Sequence, residues 1–357
     1  MAIASAPTRT HRRACVKSGY EDERLTYGET HQRVASLASW MLDQGVKPGD
    51  RVAISMRNYP EWMQIYWACA CVGITVVGMN AWWTAEEMSY ALSDSEPKIL
   101  FLDVERLARI GEKPDMAEGL KLVGVRIDNL PDGITAWQDV IAKEAPLPDV
   151  TVDPDSDACI FYTSGTTGFP KGAQLTHRGC VANLMNMLCA RASGARAMNL
   201  ATGEVPPDPL PIPVGLIPTP LFHVTANNCG AYAITAAGGK MVLMYRWDAG
   251  EALRLIEREK VTGLSGVPVM AREVINHPDF DKTDTSSLMT LGGGGAQVPP
   301  DLVQKIDDKV ATARPNTGYG MTETCGIITS LAADFFIDKP DSAGPYMPNF
   351  EAKCVND

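Results

Sequence analysis

Twice between Val52 and Leu102 a short apolar run gives way to a helical pattern that leads back to another apolar run, and that order restricts what the chain can fold into. Strand Val52–Met56 leads to helix Pro60–Val72, strand Ile74–Val77 to helix Thr84–Leu92, and strand Ile99–Leu102 closes the series. Strands separated by helices pair in parallel through right-handed crossovers, so the pattern predicts a doubly wound α/β sheet. Upstream, Thr26 and Glu29 form a capping box ahead of Val34, Leu37, Ala38, Met41 and Leu42 at helical spacing, and Thr84 with Glu87 forms another. The apolar run Trp62–Met79 reaches membrane-span length, but Gln64, Gly73 and Thr75 interrupt it, so it divides into a helix and a strand. Residues Asp103 to Pro154 are less regular and predict shorter elements.

After a helix from Thr176 to Met187, residues Arg191 to Pro213 are rich in Pro, Gly and Ala and are expected to form a mobile surface loop. A second alternating series follows: strand Leu216–Pro218, helix Asn228–Ala237, strand Lys240–Met244 and helix Asp248–Lys260 with an Asp248/Glu251 cap. It continues through strand Thr262–Ser265, helix Pro268–Asn276, strand Leu288–Gly292 and helix Pro299–Lys309 to a loop at Gly318–Glu323. The expected architecture is two facing doubly wound α/β subdomains. One covers about 50–215 and the other about 20–49 with 216–335. The length of 357 residues suits two or three such subdomains.

The stretch Tyr162-Thr163-Ser164-Gly165-Thr166-Thr167-Gly168-Phe169-Pro170-Lys171-Gly172 follows the buried-strand pattern Ala158–Phe161. Its glycines let backbone N–H groups point at an anion, its hydroxyls add neutral donors, and Lys171 adds a compact positive charge, which together suit a phosphate. The phosphate loop of nucleoside triphosphatases needs Ser or Thr after the lysine, where Gly172 stands, and the dinucleotide fingerprint lacks its first glycine. A net charge of −11 argues against nucleic acid as a partner. Nine cysteines with no C-x-x-C pair read as reduced thiols of a cytoplasmic protein, and five scattered histidines form no metal-ligand spacing. No secretory signal or transmembrane segment is read, and Arg9, Arg12 and Arg13 mark a basic, frayed terminus.

Nearly residue for residue, this stretch resembles the phosphate loop of the adenylate-forming (AMP-binding) superfamily, which includes acyl-CoA synthetases, peptide-synthetase adenylation domains and luciferases. Pro220-Leu221-Phe222-His223, Gly294-Gly295-Ala296 and Gly318-Tyr319-Gly320-Met321-Thr322-Glu323 match the same superfamily in order, and the likeness runs from about residue 14 to the end. It implies that Thr163, Ser164, Gly165, Thr166, Thr167, Gly168 and Lys171 hold ATP phosphates and that His223 stands between nucleotide and carboxylate. It further implies that Gly294, Gly295, Ala296, Tyr319, Gly320 and Met321 border the nucleotide, with Thr322 on the α-phosphate and Glu323 on Mg2+. All three segments would then meet a single shared ATP.

The implied reaction joins a hydrophobic carboxylic acid, fatty or aryl, to AMP and then transfers the acyl group to coenzyme A. The implied catalytic residues are Lys171, Thr322, Glu323 and His223. The acyl pocket would be bordered by Val224–Gly230, 266–270 and Met321, with Asn227 where some fatty-acyl members carry an aromatic gate. The resemblance also implies that 336–357 begins a β-rich third subdomain, while the ribose-gripping Asp and the second catalytic lysine of the superfamily find no match. The chain is therefore expected to be the larger part of a ligase, adenylating poorly by itself. Loading of a carrier-protein thiol and a non-catalytic nucleotide-binding module stand as alternatives, and a homodimer is plausible.

Overall fold

The computed structural model describes residues 16–18 (backbone only), 23–165, 168–203, 205, 211–353 and 355. The chain divides into two compact units, one comprising residues 23–178 and 221–223, the other 16–22, 179–220 and 224–357. Strand β1 (Val16–Ser18) belongs to the second unit.

In the first unit the chain runs α1 (Tyr27–Asp43), β2 (Arg51–Ser55), α2 (Pro60–Cys71), β3 (Thr75–Gly78), α3 (Ala85–Ser95), β4 (Ile99–Leu102), α4 (Val104–Glu112), β5 (Lys121–Gly124), β6 (Thr135–Ala136) and α5 (Trp137–Ile141). It closes with β7 (Asp157–Thr163) and β8 (Lys171–Thr176). The sheet order is β6-β5-β4-β2-β3-β7-β8, parallel except where β8 returns antiparallel along β7. Both capping boxes form as expected: Thr26 Oγ1 accepts from Glu29 N–H at 3.1 Å, and Thr84 Oγ1 from Glu87 N–H at 3.3 Å. The run Trp62–Met79 does divide into α2 and β3, and no helix among the described residues is long and apolar enough to cross a membrane.

The second unit continues with α6 (His177–Thr202), β9 (Val214–Ile217), a π turn at Thr225–Ala231, α7 (Tyr232–Ala236), β10 (Lys240–Leu243), α8 (Ala249–Glu259), β11 (Gly263–Gly266) and α9 (Pro268–Ile275). After these come β12 (Thr290–Gly294), α10 (Pro300–Lys309), β13 (Arg314–Met321), β14 (Gly326–Ala332) and α11 (Asp334–Asp338). Its sheet order is β1-β10-β9-β11-β12-β13-β14, parallel except β13 with β14. Leu216, Val242, Leu253, Ile256, Leu264, Leu291, Leu302, Ile306 and Phe336 form its buried core.

Several expectations need correction. The stretch from Arg191 is no loop, because α6 runs on to Thr202: Ala, Arg, Met and Leu outweigh Gly194, a penalty of about 1 kcal/mol. Thr202 Oγ1 also bonds the Met198 carbonyl at 2.9 Å. Residues 206–210 of that stretch lie outside the described residues, as do Arg9, Arg12 and Arg13. Gly318–Glu323 is strand β13 followed by a 3-10 turn, since β14 pairs along it from Met321 back to Asn316. The border between units falls after Arg178, not at 215, and α1 belongs with the first unit, where its buried face of Val34, Leu37, Ala38 and Met41 packs on α2 and α5. Past residue 336, α11 ends at Asp338, and Tyr346 then makes one antiparallel bridge to Thr329.

Candidate functional site

In the first unit the glycine-rich stretch is the connection of the β7–β8 hairpin. Thr163 and Lys171 are paired partners across it, and Thr163 Oγ1 donates to the Lys171 carbonyl at 3.4 Å. The loop is pinned at its base. Tyr162 donates its hydroxyl to Asp94 Oδ2 at 2.7 Å and meets the Trp83 ring edge-on at 5.3 Å, and burial together with that carboxylate pushes the phenol pKa well up. Gly165 is required by close approach, because a Cβ there would lie 2.0 Å from the Phe169 carbonyl oxygen. Phe169, on the exposed side, stacks on Tyr90 of α3 at 4.8 Å. Sequence reading missed this latch, although an aromatic among glycines and hydroxyls was a signal for it. Ser164, Gly168 and Lys171 are exposed, and Lys171 makes no ion pair among the described residues. Thr166 and Thr167 lie outside the described residues.

His223 belongs to the same unit. Asn58 Oδ1 accepts the Leu221 N–H at 2.8 Å, and the Phe222 ring meets Trp82 at 5.2 Å, with the Arg57 guanidinium 5.0 Å from the other ring of that contact, Trp82. A Cβ on Gly78, the last residue of β3, would stand 3.5 Å from Phe222 Cα. The segment therefore crosses the carboxyl end of the first sheet, the same edge at which β7 delivers the glycine-rich loop. Ligands of open α/β sheets bind at that edge.

Burial lowers the His223 pKa, so the imidazole is neutral at pH 7. The unfolded chain then binds the extra proton more readily than the folded one as pH falls through about 6.5, and stability drops across that window. His223→Gln is expected to flatten part of this acid-side loss, measured as Tm against pH between about 5 and 7. An unchanged slope counts against a buried neutral imidazole.

In the second unit Gly294 pairs with Gly318 in the β12–β13 register. Gly295 and Ala296 leave the end of β12 while Tyr319, Gly320 and Met321 extend β13 beside them, with the Tyr319 ring 52% exposed. Thr322 and Glu323 crown the 3-10 turn that follows. Thr324 closes this turn, its Oγ1 accepting from Met321 N–H at 3.0 Å. These residues gather at the carboxyl edge of the second sheet, as Lys171 and His223 do at that of the first; the two sets belong to different units.

Among the described residues no group of three His, Cys, Asp or Glu is placed to hold a metal. Glu323 is an exposed carboxylate with no ion pair there. A single free carboxylate fits Mg2+, which takes one or two protein oxygens and completes its shell with phosphates and water. A separate cleft of about 600 Å3, lined by Arg51, Ser93, Lys98 and Lys113 among others, contains none of the predicted residues. Two of its cations are already paired, Arg51 with Glu96 and Lys113 with Glu86.

The sequence profile described as "AMP-binding enzyme" matches residues 3–357. The chain belongs to the AMP-binding enzyme family. It is 34% identical over 328 residues to a feruloyl-CoA synthase of Amycolatopsis sp, covering 91% of this chain and 60% of that protein. It is 27% identical to the 4-coumarate–CoA ligase CCL1 of Humulus lupulus, covering 96% and 61%. The chain thus spans about three fifths of the length of these curated relatives. Among solved structures, the N-terminal domain of FACL13 from Mycobacterium tuberculosis superposes with a TM-score of 0.79 at 25% identity, covering 94% of this chain and 79% of that one. Both the family resemblance and the two-sheet α/β architecture read from the sequence hold.

Proposed function

We propose that this family member binds ATP and a hydrophobic carboxylic acid, forms the acyl-adenylate, and passes the acyl group to the thiol of coenzyme A. The observation that carries this reading is the β7–β8 hairpin, which presents a lysine without an ion pair at the carboxyl edge of a parallel sheet. A carboxylate does not acylate a thiol directly, because oxide would have to leave. In the first step a carboxylate oxygen attacks the α-phosphorus, and the bond to the bridging oxygen breaks with its electron pair going to pyrophosphate. In the second, the thiol sulfur gives up its proton to water and attacks the acyl carbon, and the acyl carbon–oxygen bond breaks with its electron pair leaving on AMP.

Lys171 and the loop N–H groups offset charge on the β- and γ-phosphates, and the Thr322 hydroxyl holds the α-phosphate. Glu323 would hold magnesium, which when bound would supply charge neutralisation to the pyrophosphate oxygens. His223, kept neutral by burial, offers the carboxylate a hydrogen bond without trapping it in an ion pair. Gly294–Ala296 and Tyr319 supply flat surface for the adenine ring.

For the acid, an aryl group bearing a phenolic hydroxyl is favoured. Asn227 is fully buried, its Nδ2 is committed to Asn228 Oδ1 at 2.9 Å, and its Oδ1 has no partner among the described residues, which puts an acceptor in the segment proposed to border the acid. The names of the two curated relatives point the same way. Acid-dependent ATP–pyrophosphate exchange tests the reading. Exchange with 4-hydroxycinnamic acids, at least tenfold above that with straight-chain fatty acids, is the expected result. Reversed selectivity discards the aryl assignment, and no exchange with any acid from a protein that also fails to bind ATP discards the function.

A further inference from the structure

Beneath the turn that carries Thr322 and Glu323 lies a buried network of asparagines. Asn183, on α6, accepts the Ile327 N–H on Oδ1 at 2.9 Å and donates from Nδ2 to the Asn228 carbonyl at 3.2 Å. Asn228, in the π turn, donates from Nδ2 to the Cys325 carbonyl at 3.1 Å and to Cys180 Sγ at 3.5 Å, while its Oδ1 accepts from Asn227. Asn183 is 2% exposed, and Asn227 and Asn228 are 0% exposed.

The turn needs such support. Cys325 sits at φ +61, a left-handed conformation that costs an ordinary side chain about 1–2 kcal/mol. Its neighbour Gly326 lies directly against the Asn183 amide, where a Cβ would come within 2.2 Å of Oδ1. Two amide side chains on two different elements thus fix the two residues that follow Thr322-Glu323-Thr324, one by its carbonyl and the other through the next N–H. A buried polar network is stabilising only when its members are satisfied, so each lost bond leaves an orphaned group in a low-dielectric interior.

We infer that Asn183 and Asn228 are positioning residues that hold the Thr322–Glu323 turn in the geometry in which it meets magnesium-bound triphosphate. Neither touches the nucleotide. The inference rests on the ATP reading above and adds to it residues that sequence motifs did not single out. An unsupported turn would still exist, but Glu323 would sample many orientations, and the loss would fall on the magnesium-dependent part of binding.

The test compares Asn183→Ala, Asn228→Ala and Asn183→Asp with the wild-type chain. Asn183→Asp keeps an oxygen for the Ile327 N–H and, in the protonated form that burial favours, an O–H donor for the Asn228 carbonyl. Two quantities are read: Kd for ATP with and without Mg2+ by calorimetry, and amide hydrogen exchange of residues 318–329. The alanine variants are expected to bind MgATP about tenfold more weakly, with magnesium-free ATP affinity changed by less than about threefold, and to exchange faster selectively in that segment. Asn183→Asp is expected to recover part of both. Variants that bind MgATP as the wild type does, or a uniform loss of affinity with and without Mg2+, overturn the positioning role while leaving the ATP reading intact. A wild-type chain that binds no ATP overturns both. Should the alanine variants fail to fold, Asn183→Asp with wild-type exchange and weakened magnesium-free binding overturns the role equally.

Discussion

Replacing Lys171 by alanine will weaken ATP binding by between about 10- and 100-fold, the range expected when a charge-assisted contact of roughly 1.5–3 kcal/mol is lost. The thermal unfolding midpoint should not move, because the Lys171 side chain is exposed and forms no ion pair among the described residues whose loss would be felt in the fold. That separation makes the variant informative. Most substitutions that reduce affinity also soften the structure, whereas this one removes a cation from a backbone held by its pairing with Thr163. Lys171→Arg should recover only part of the loss, since a planar fork does not reproduce a compact ammonium at the start of a tight hairpin. Calorimetric titration beside a melting curve decides the matter. Affinity within twofold of wild type for Lys171→Ala would remove the lysine from the phosphate site.

The second large effect is on stability. Gly293 sits at φ +142 beside Gly266 in the β11–β12 register, and a Cβ there would lie 1.9 Å from the Gly266 carbonyl oxygen. Both contacting groups are backbone of adjacent central strands, so neither can yield without breaking the ladder. Gly293→Ala is expected to cost about 3 kcal/mol or more, at the upper end of overpacking penalties. For a unit of this size that corresponds to a fall in Tm of about 6–12 °C. Because Gly294, Gly295 and Ala296 follow directly, the strands would have to part beside the surface proposed for adenine, and on that reading ATP affinity should fall as well. A variant melting within about 2 °C of wild type would show that the strands do not approach so closely.

The parallel half of each sheet was legible because its signals are local. The Ile99–Leu102 run is a strand of those bounds, and both Thr/Glu capping boxes start helices where expected. What escaped was set by pairing over distance. Lys171–Thr176 carries little apolar period of its own and becomes β8 because β7 lies open beside it. Gly318–Met321 looks like a loop by composition, yet its glycines permit the close antiparallel pairing with β14. Helix α6 was cut short by weighing Gly194 and the later prolines too heavily against the alanines between them.

For the site, motif spelling located the loop, His223 and the Tyr319–Glu323 strand end, all at carboxyl edges. It gave no hint of Asn183 and held Asn228 only within the Val224–Gly230 border of the acyl pocket, because their shared role depends on two elements meeting beneath a turn. Nor did it suggest the Phe169–Tyr90 stack, which only the folded hairpin brings about.

The hairpin anchor fixes the Cα of Lys171 across from Thr163 and leaves its four-carbon stem free. A cation on such a tether responds to how much negative charge is nearby and hardly at all to its shape, so on the proposed ATP reading it would follow phosphate oxygens as they rearrange from ester to leaving group. Selectivity among anions would then fall to the backbone N–H groups of the loop, while the lysine would supply attraction that persists along the whole course of the proposed displacement.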